Sequence, residues 1–128
     1  MADLILDSDV VIWHLRGRPV VTEFILALAS RLRLGISAVS RAEVMAGARL
    51  SEESGTLRFL DACQTIEVNA DIADMAGRLV RNQRADGITM HLPDALIAAS
   101  ALVCHVPLYT CNPRHYIVDG LEVRSVAH

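Results

Sequence analysis

At 128 residues, the chain is long enough for one domain with one real core, and its 52% apolar content excludes a disordered protein. A formal charge of −3 excludes a broadly basic surface of the kind that holds nucleic acid by bulk electrostatics. It does not exclude an enzyme that gathers carboxylates in one site and carries arginines elsewhere.

In chain order, Leu4-Ile5-Leu6 is a short apolar run ending in Asp7 and predicts a strand buried on both faces. Val10 to Leu15 predicts a short helix stopped by Gly17 and Pro19, with Asp9 as its N-cap. Pro19 opens a second, amphipathic helix with Phe24, Ile25, Leu28 and Leu32 on one side. Leu34 to Ser37 predicts the second strand. The next helix starts either at Ser37 or at Ser40, where Ser40-Arg41-Ala42-Glu43 has capping-box spacing. Leu50 to Glu53 opens another helix, with Leu57, Phe59 and Leu60 as its apolar side, and Thr65 to Val68 alternates like a strand.

Asn69 or Asp71 caps a long helix whose stripe is Ile72, Met75, Ala76, Leu79 and Val80, with Arg78, Arg81 and Arg84 on its wet side. Asp86-Gly87 ends it. Pro93 then stands in the first turn of an almost wholly apolar helix from Asp94 to Val103. Pro107 to Thr110 predicts a strand, Asn112-Pro113 a turn, and Leu121 to Val126 a final edge strand. Strands alternating with helices in this way predict a single α/β domain over residues 1–128, a three-layer α/β/α sandwich on a mainly parallel sheet.

Cys63, Cys104 and Cys111 show no metal-binding spacing, and an odd count argues against a disulfide framework, so a reducing, cytoplasmic setting is expected. The opening segment has no basic region and is not read as a signal peptide. The uncharged stretch Ala95 to Tyr109 is too short to span a membrane. All 12 basic residues are arginine, which reflects either composition bias or phosphate recognition by planar donors.

In open α/β sheets, sites form beyond the carboxyl ends of the strands. Asp7 occupies such an end. Asp94 opens an apolar helix that must be buried and whose amino end is expected to open into the same crevice, and Glu43 lies in or near the first turn of another helix. Three carboxylates brought together repel one another, and cations relieve that repulsion. Mg²⁺ or Mn²⁺, which prefer oxygen ligands, would then serve phosphodiester hydrolysis. Asp7-Ser8-Asp9 after a strand also suits the D-x-D opening of haloacid-dehalogenase-like phosphatases, but the later lysine they need is missing.

Four segments in order carry a resemblance. Leu4-Ile-Leu-Asp-Ser-Asp-Val-Val-Ile12, Ser37-Ala-Val-Ser-Arg-Ala-Glu-Val-Met-Ala-Gly47, Leu92-Pro-Asp-Ala-Leu-Ile-Ala-Ala-Ser-Ala101 and Tyr109-Thr-Cys-Asn-Pro-Arg-His-Tyr116 resemble the motifs of PIN-domain nucleases. Length and compactness are similar to the VapC toxins of bacterial VapBC toxin–antitoxin modules. The resemblance implies a Mg²⁺-dependent endoribonuclease, with Mn²⁺ as a substitute, acting on transfer or ribosomal RNA. It makes Asp7, Glu43 and Asp94 both catalytic residues and metal ligands. It further implies a homodimer, a cognate VapB-like antitoxin, and contact with operator DNA only through that antitoxin.

In the fourth segment Thr110 and Asn112 match the motif, whereas His115 stands where relatives carry an acid. His115 is therefore a catalytic candidate that cannot supply the same charge, and a second ion is in question. Ser8, Asp9 and Arg114 are secondary candidates; Arg16, Arg18, Arg41 and His91 are further candidates for RNA contact. A degenerate PIN-like domain that only binds a partner is the non-enzymatic alternative. Trp13 is expected to pack rather than stack on a base.

Overall fold

The computed structural model describes residues 1–128. Five short strands form one parallel sheet: β1 (Leu4–Leu6), β2 (Leu34–Ser37), β3 (Gln64–Ile66), β4 (Leu108–Thr110) and β5 (Val123–Ser125), in the spatial order β3-β2-β1-β4-β5. The chain builds outward from β1 through β2 to β3. It then returns to the other side of β1 as β4 and ends at the edge as β5. The direction of winding therefore reverses between β1 and β4, and a crevice opens there at the carboxyl ends of the strands.

Six α-helices cover the sheet: α1 (Ser8–Leu15), α2 (Pro19–Ala29), α3 (Ala38–Gly47), α4 (Glu53–Ala62), α5 (Ala70–Ala85) and α6 (Leu92–Cys104). Side chains of a strand point alternately to its two faces, and β1 divides accordingly. Leu4 and Leu6 join Val10, Val11, Val21, Ile25 and Leu60 in one apolar cluster. Ile5 joins Ile72, Ala76, Ile97, Ala98 and Leu108 in the other, beneath α5 and α6. All three β1 residues are fully buried, as expected for a central parallel strand. The three-layer sandwich expected from the sequence is the fold observed.

Close approach at β2 requires a glycine. A Cβ on Gly35 would lie 2.7 Å from the Ala2 side chain and 2.8 Å from the Leu4 carbonyl oxygen. Glycine therefore leaves room for the Ala2 side chain and the β1 backbone to lie close against β2.

One helix start differs from expectation, and another falls on one of the two expected positions. α1 begins at Ser8 rather than Val10, because Asp7 and not Asp9 is its N-cap and accepts from the Ser8 amide at 2.8 Å. α3 begins directly after β2, capped by Ser37, whose hydroxyl accepts from the Val39 amide at 3.1 Å. Ser40 is thus inside the helix and fully buried, and the Ser40–Glu43 capping box does not form. No helix is long and apolar enough to cross a membrane.

Candidate active site

Asp7 is fixed by the sheet and by its own helix. Its amide donates to the Tyr109 carbonyl at 2.9 Å, which carries the β1–β4 ladder one residue past the strand. Its side chain, only 7% exposed, then projects into the crevice. Asp7 Oδ1 accepts from the Ser8 amide at 2.8 Å and from the Tyr116 hydroxyl at 3.0 Å; Oδ2 accepts from the Thr110 hydroxyl at 2.8 Å.

Asp94 enters from the first turn of α6, where helix-end amides favour a negative charge. Its Oδ1 lies 3.3 Å from the same Tyr116 hydroxyl, so one phenol spans the two carboxylates. Its Oδ2 is 3.8 Å from His115 Nδ1, a contact too long for a hydrogen bond.

Glu43 arrives from α3 through Ser8. The Ser8 hydroxyl donates to Glu43 Oε1 at 2.6 Å and lies 2.8 Å from the Ser40 hydroxyl. A serine has one hydrogen to give, so Ser40 donates to Ser8 while Ser8 donates to Glu43. Asp9 sits beyond Asp7. Its Oδ1 accepts from the Cys111 amide at 3.3 Å and its Oδ2 is 3.4 Å from the Thr110 hydroxyl.

Asp7, Glu43, Asp94, Ser8, Asp9 and Thr110 thus meet at one end of the sheet, linked by hydrogen bonds. The linkage runs through hydroxyls, and no three acidic, histidine or cysteine side chains close on a single point as a finished ion cage.

The electrostatics are unbalanced. Neither Asp7, Asp9 nor Glu43 forms an ion pair; the pairs present are Arg41–Asp61, Arg124–Glu122 and the long His115–Asp94 contact. Burial, reinforced by the charge on Asp9, pushes the Asp7 carboxyl up from 3.8 to about 6 against the pull of its hydrogen bonds. Burial also holds Asp9 above the ordinary carboxylate range. Beside them, burial and then the charges of Asp9 and Asp7 push the Cys111 thiol up to about 12, so in the metal-free chain it stays protonated. Tyr116 is raised too, by burial and then by Asp7 and Asp94, so its hydroxyl keeps its proton.

The other candidates separate. Asn112 contributes its backbone, whose amide donates to the Thr110 hydroxyl at 3.0 Å, while its side chain is exposed. Arg41 is not free for phosphate, because it donates to Asp61 at 3.0 Å and to Thr65 at 3.2 Å. Arg16 and Arg18 lie over the Trp13 ring, 5.7 and 4.3 Å from its centroid, and Trp13 packs against the core as expected. Arg114, His91 and His115 share with Asp94, Gln83 and Thr89 the lining of a cleft of about 250 Å³.

Tyr116 was not among the sequence candidates. The one indication was its place at the end of the fourth segment, directly after His115.

With this geometry in place, comparison with known proteins decides the lineage. The family model described as "PIN domain" matches residues 4–121. The chain belongs to the PIN-domain family. Two relatives from Mycobacterium tuberculosis, Ribonuclease VapC19 and Ribonuclease VapC10, are each 34% identical over 113 residues. That alignment spans 88% of this chain, with 90% and 85% of the respective relatives. Among solved structures, VapBC2 from Rickettsia felis, bound to a DNA fragment from its promoter, superposes with a TM-score of 0.85. It covers 97% of this chain and 98% of that one at 21% identity, a likeness of fold.

As a PIN domain, the chain is not a haloacid-dehalogenase-like phosphatase. Asp9 lies behind Asp7, bonded to the Cys111 amide, rather than beside it as a free acid.

Proposed function

We propose that this PIN domain is a divalent-metal-dependent endoribonuclease of the VapC kind, the toxin of a toxin–antitoxin pair, working in the cytoplasm. The observation that carries this reading is the convergence of Asp7, Asp94 and Glu43 in one crevice, with no cationic side chain in close contact with Asp7 or Glu43. Burying the Asp7 carboxylate with Asp94 close by and no cationic side chain of its own is costly, and a bound cation removes that cost. The VapC relatives named as ribonucleases support RNA as the substrate. The likeness in fold to structures of VapBC complexes supports a VapB-like antitoxin as partner, with operator DNA reached through it.

The donor set fits a hard cation. It is all oxygen, from Asp7, Asp94 and Glu43, which favours Mg²⁺ or Mn²⁺ over zinc. Such an ion, when bound, supplies charge stabilisation for a phosphodiester under attack and lowers the pKa of water towards neutrality. The protein's own residues do the rest. Ser8 and Thr110 hold Glu43 and Asp7 in fixed orientations. The cleft beside Asp94 offers Arg114, which makes no ion pair, together with His91 and His115, to the RNA backbone on one side of the cut. His115 adds no negative charge, so Asp7, Asp94 and Glu43 would hold one ion more readily than two.

The test is incubation of the purified, antitoxin-free chain with a broad pool of transfer and ribosomal RNA. Cleavage that needs Mg²⁺ or Mn²⁺ and stops on chelation is expected. A folded chain that cuts nothing in either metal would favour the non-catalytic, partner-binding reading.

A further inference from the structure

Tyr116 lies on the 3₁₀ turn Pro113–Tyr116 after β4 and is 2% exposed. Its hydroxyl is 3.0 Å from Asp7 Oδ1 and 3.3 Å from Asp94 Oδ1, two acids 87 positions apart on separate elements. A phenol has a single hydrogen and cannot donate fully to both carboxylates at once. The contact therefore sets the separation of the pair without satisfying it.

Counting lone pairs shows what is left. Asp7 Oδ1 already accepts from the Ser8 amide and from Tyr116, and is full; Oδ2 accepts only from Thr110 and keeps capacity. Asp94 Oδ2 has no hydrogen-bond donor, since His115 stands 3.8 Å away.

We propose that Tyr116 is a positioning residue that braces Asp7 and Asp94 through their Oδ1 atoms, so that their remaining oxygens are presented together to a divalent cation. This deepens the reading of the site as a metal-dependent nuclease and rests on it. Phenol-to-carboxylate bonds of this kind act from behind the ligands. Loss of such support weakens metal affinity roughly 10- to 100-fold in other proteins.

The experiment compares the full chain with Tyr116→Phe, which keeps the ring in its core position and removes only the hydroxyl. Binding of Mn²⁺ alone is measured by calorimetry, and folding by circular dichroism. The expected result is an unchanged spectrum with a Mn²⁺ dissociation constant raised roughly tenfold. Equal affinity in a folded Tyr116→Phe overturns the brace and leaves the metal reading standing. If the parent itself takes up no Mn²⁺, the metal reading falls and the brace with it.

Should Tyr116→Phe not fold, the tyrosine difference absorbance of the parent during the Mn²⁺ titration decides. Tyr109, the only other tyrosine, is held against Phe24 and Arg124 away from the two Oδ1 atoms. A change that saturates together with the calorimetric binding supports the brace; a flat trace overturns it.

Discussion

Ser8 donates its hydroxyl to Glu43 across 35 positions of sequence at 2.6 Å, while its amide donates to Asp7 at 2.8 Å. One residue thereby couples the acid at the end of β1 to the acid on α3. Ser8→Ala removes the first bond and the contact with Ser40, and leaves the second. Ribonuclease activity is expected to fall roughly 10- to 100-fold, as when a metal ligand loses its supporting hydrogen bond. Stability should fall by about 1–3 kcal/mol, because the buried Ser40 hydroxyl loses its partner. Initial cleavage rates and a denaturant titration check the two numbers separately.

The buried carboxyl of Asp7 makes the metal-free protein sensitive to pH in an unusual direction. Its folded pKa, about 6, is above the ordinary 3.8, so the folded state binds more protons than the unfolded state between those values. Stability from this group is full below the lower value and is lost as pH rises to the upper one. A shift of this size corresponds to roughly 3 kcal/mol. Asp7→Asn should therefore stabilise the metal-free chain at pH 7.5, by roughly 1–3 kcal/mol once the weaker hydrogen bonds of the amide are allowed for. A melting profile of parent and variant from pH 4 to pH 8 tests the sign: the two should converge towards acid and separate towards neutrality.

Metal and protons compete for the same carboxylate. Binding that acts only on the folded state raises stability by about 2.7 kcal/mol at a concentration one hundred times the dissociation constant. Mn²⁺ should raise the melting temperature at pH 7.5, and the increment should shrink as pH falls through about 6, where Asp7 takes up its proton. A chelator should reverse the increment and abolish cleavage.

Arg114 lines the cleft beside Asp94 without a partner of its own. A phosphate contact there contributes one released counterion on binding. Arg114→Ala should weaken binding of RNA to the cleavage-deficient Asp7→Asn chain. It should also reduce the slope of log affinity against log salt by about 0.7, the value for a single-stranded phosphate. Fluorescence anisotropy over a salt series reads both effects, with the circular dichroism spectrum unchanged.

The layers of the fold were legible because apolar periodicity is local. Leu4-Ile5-Leu6, the stripe Ile72, Met75, Ala76, Leu79 and Val80, and the small-residue helix after Pro93 all form the elements that their spacing implies. Helix starts were less legible, since Ser37 and Ser40 carry equally good capping chemistry. Tertiary packing decides between them: Ser40 faces Ser8 in the interior, and Ser37 is left to cap. Asp9 suits an N-cap as well as Asp7 does, and the choice falls to Asp7 because its amide is already committed to the β4 ladder.

At the site, the acids were visible one by one from their positions at strand and helix ends. The groups that join them were not. Ser8 to Glu43 and Tyr116 to Asp7 and Asp94 are long-range contacts, set by how α3 and the turn after β4 come to rest against β1, and no local pattern encodes them. Arg41 shows the converse: its sequence position beside the site suggested phosphate, and the fold pairs it with Asp61 instead.

The most direct measurement is the anomalous scattering of Mn²⁺ in crystals of the free chain. The account predicts an ion about 2.0–2.3 Å from oxygens of both Asp7 and Asp94, with Glu43 facing it directly or through water. An ion bound elsewhere on the molecule, or a clean crevice at a Mn²⁺ concentration that supports cleavage, would contradict it.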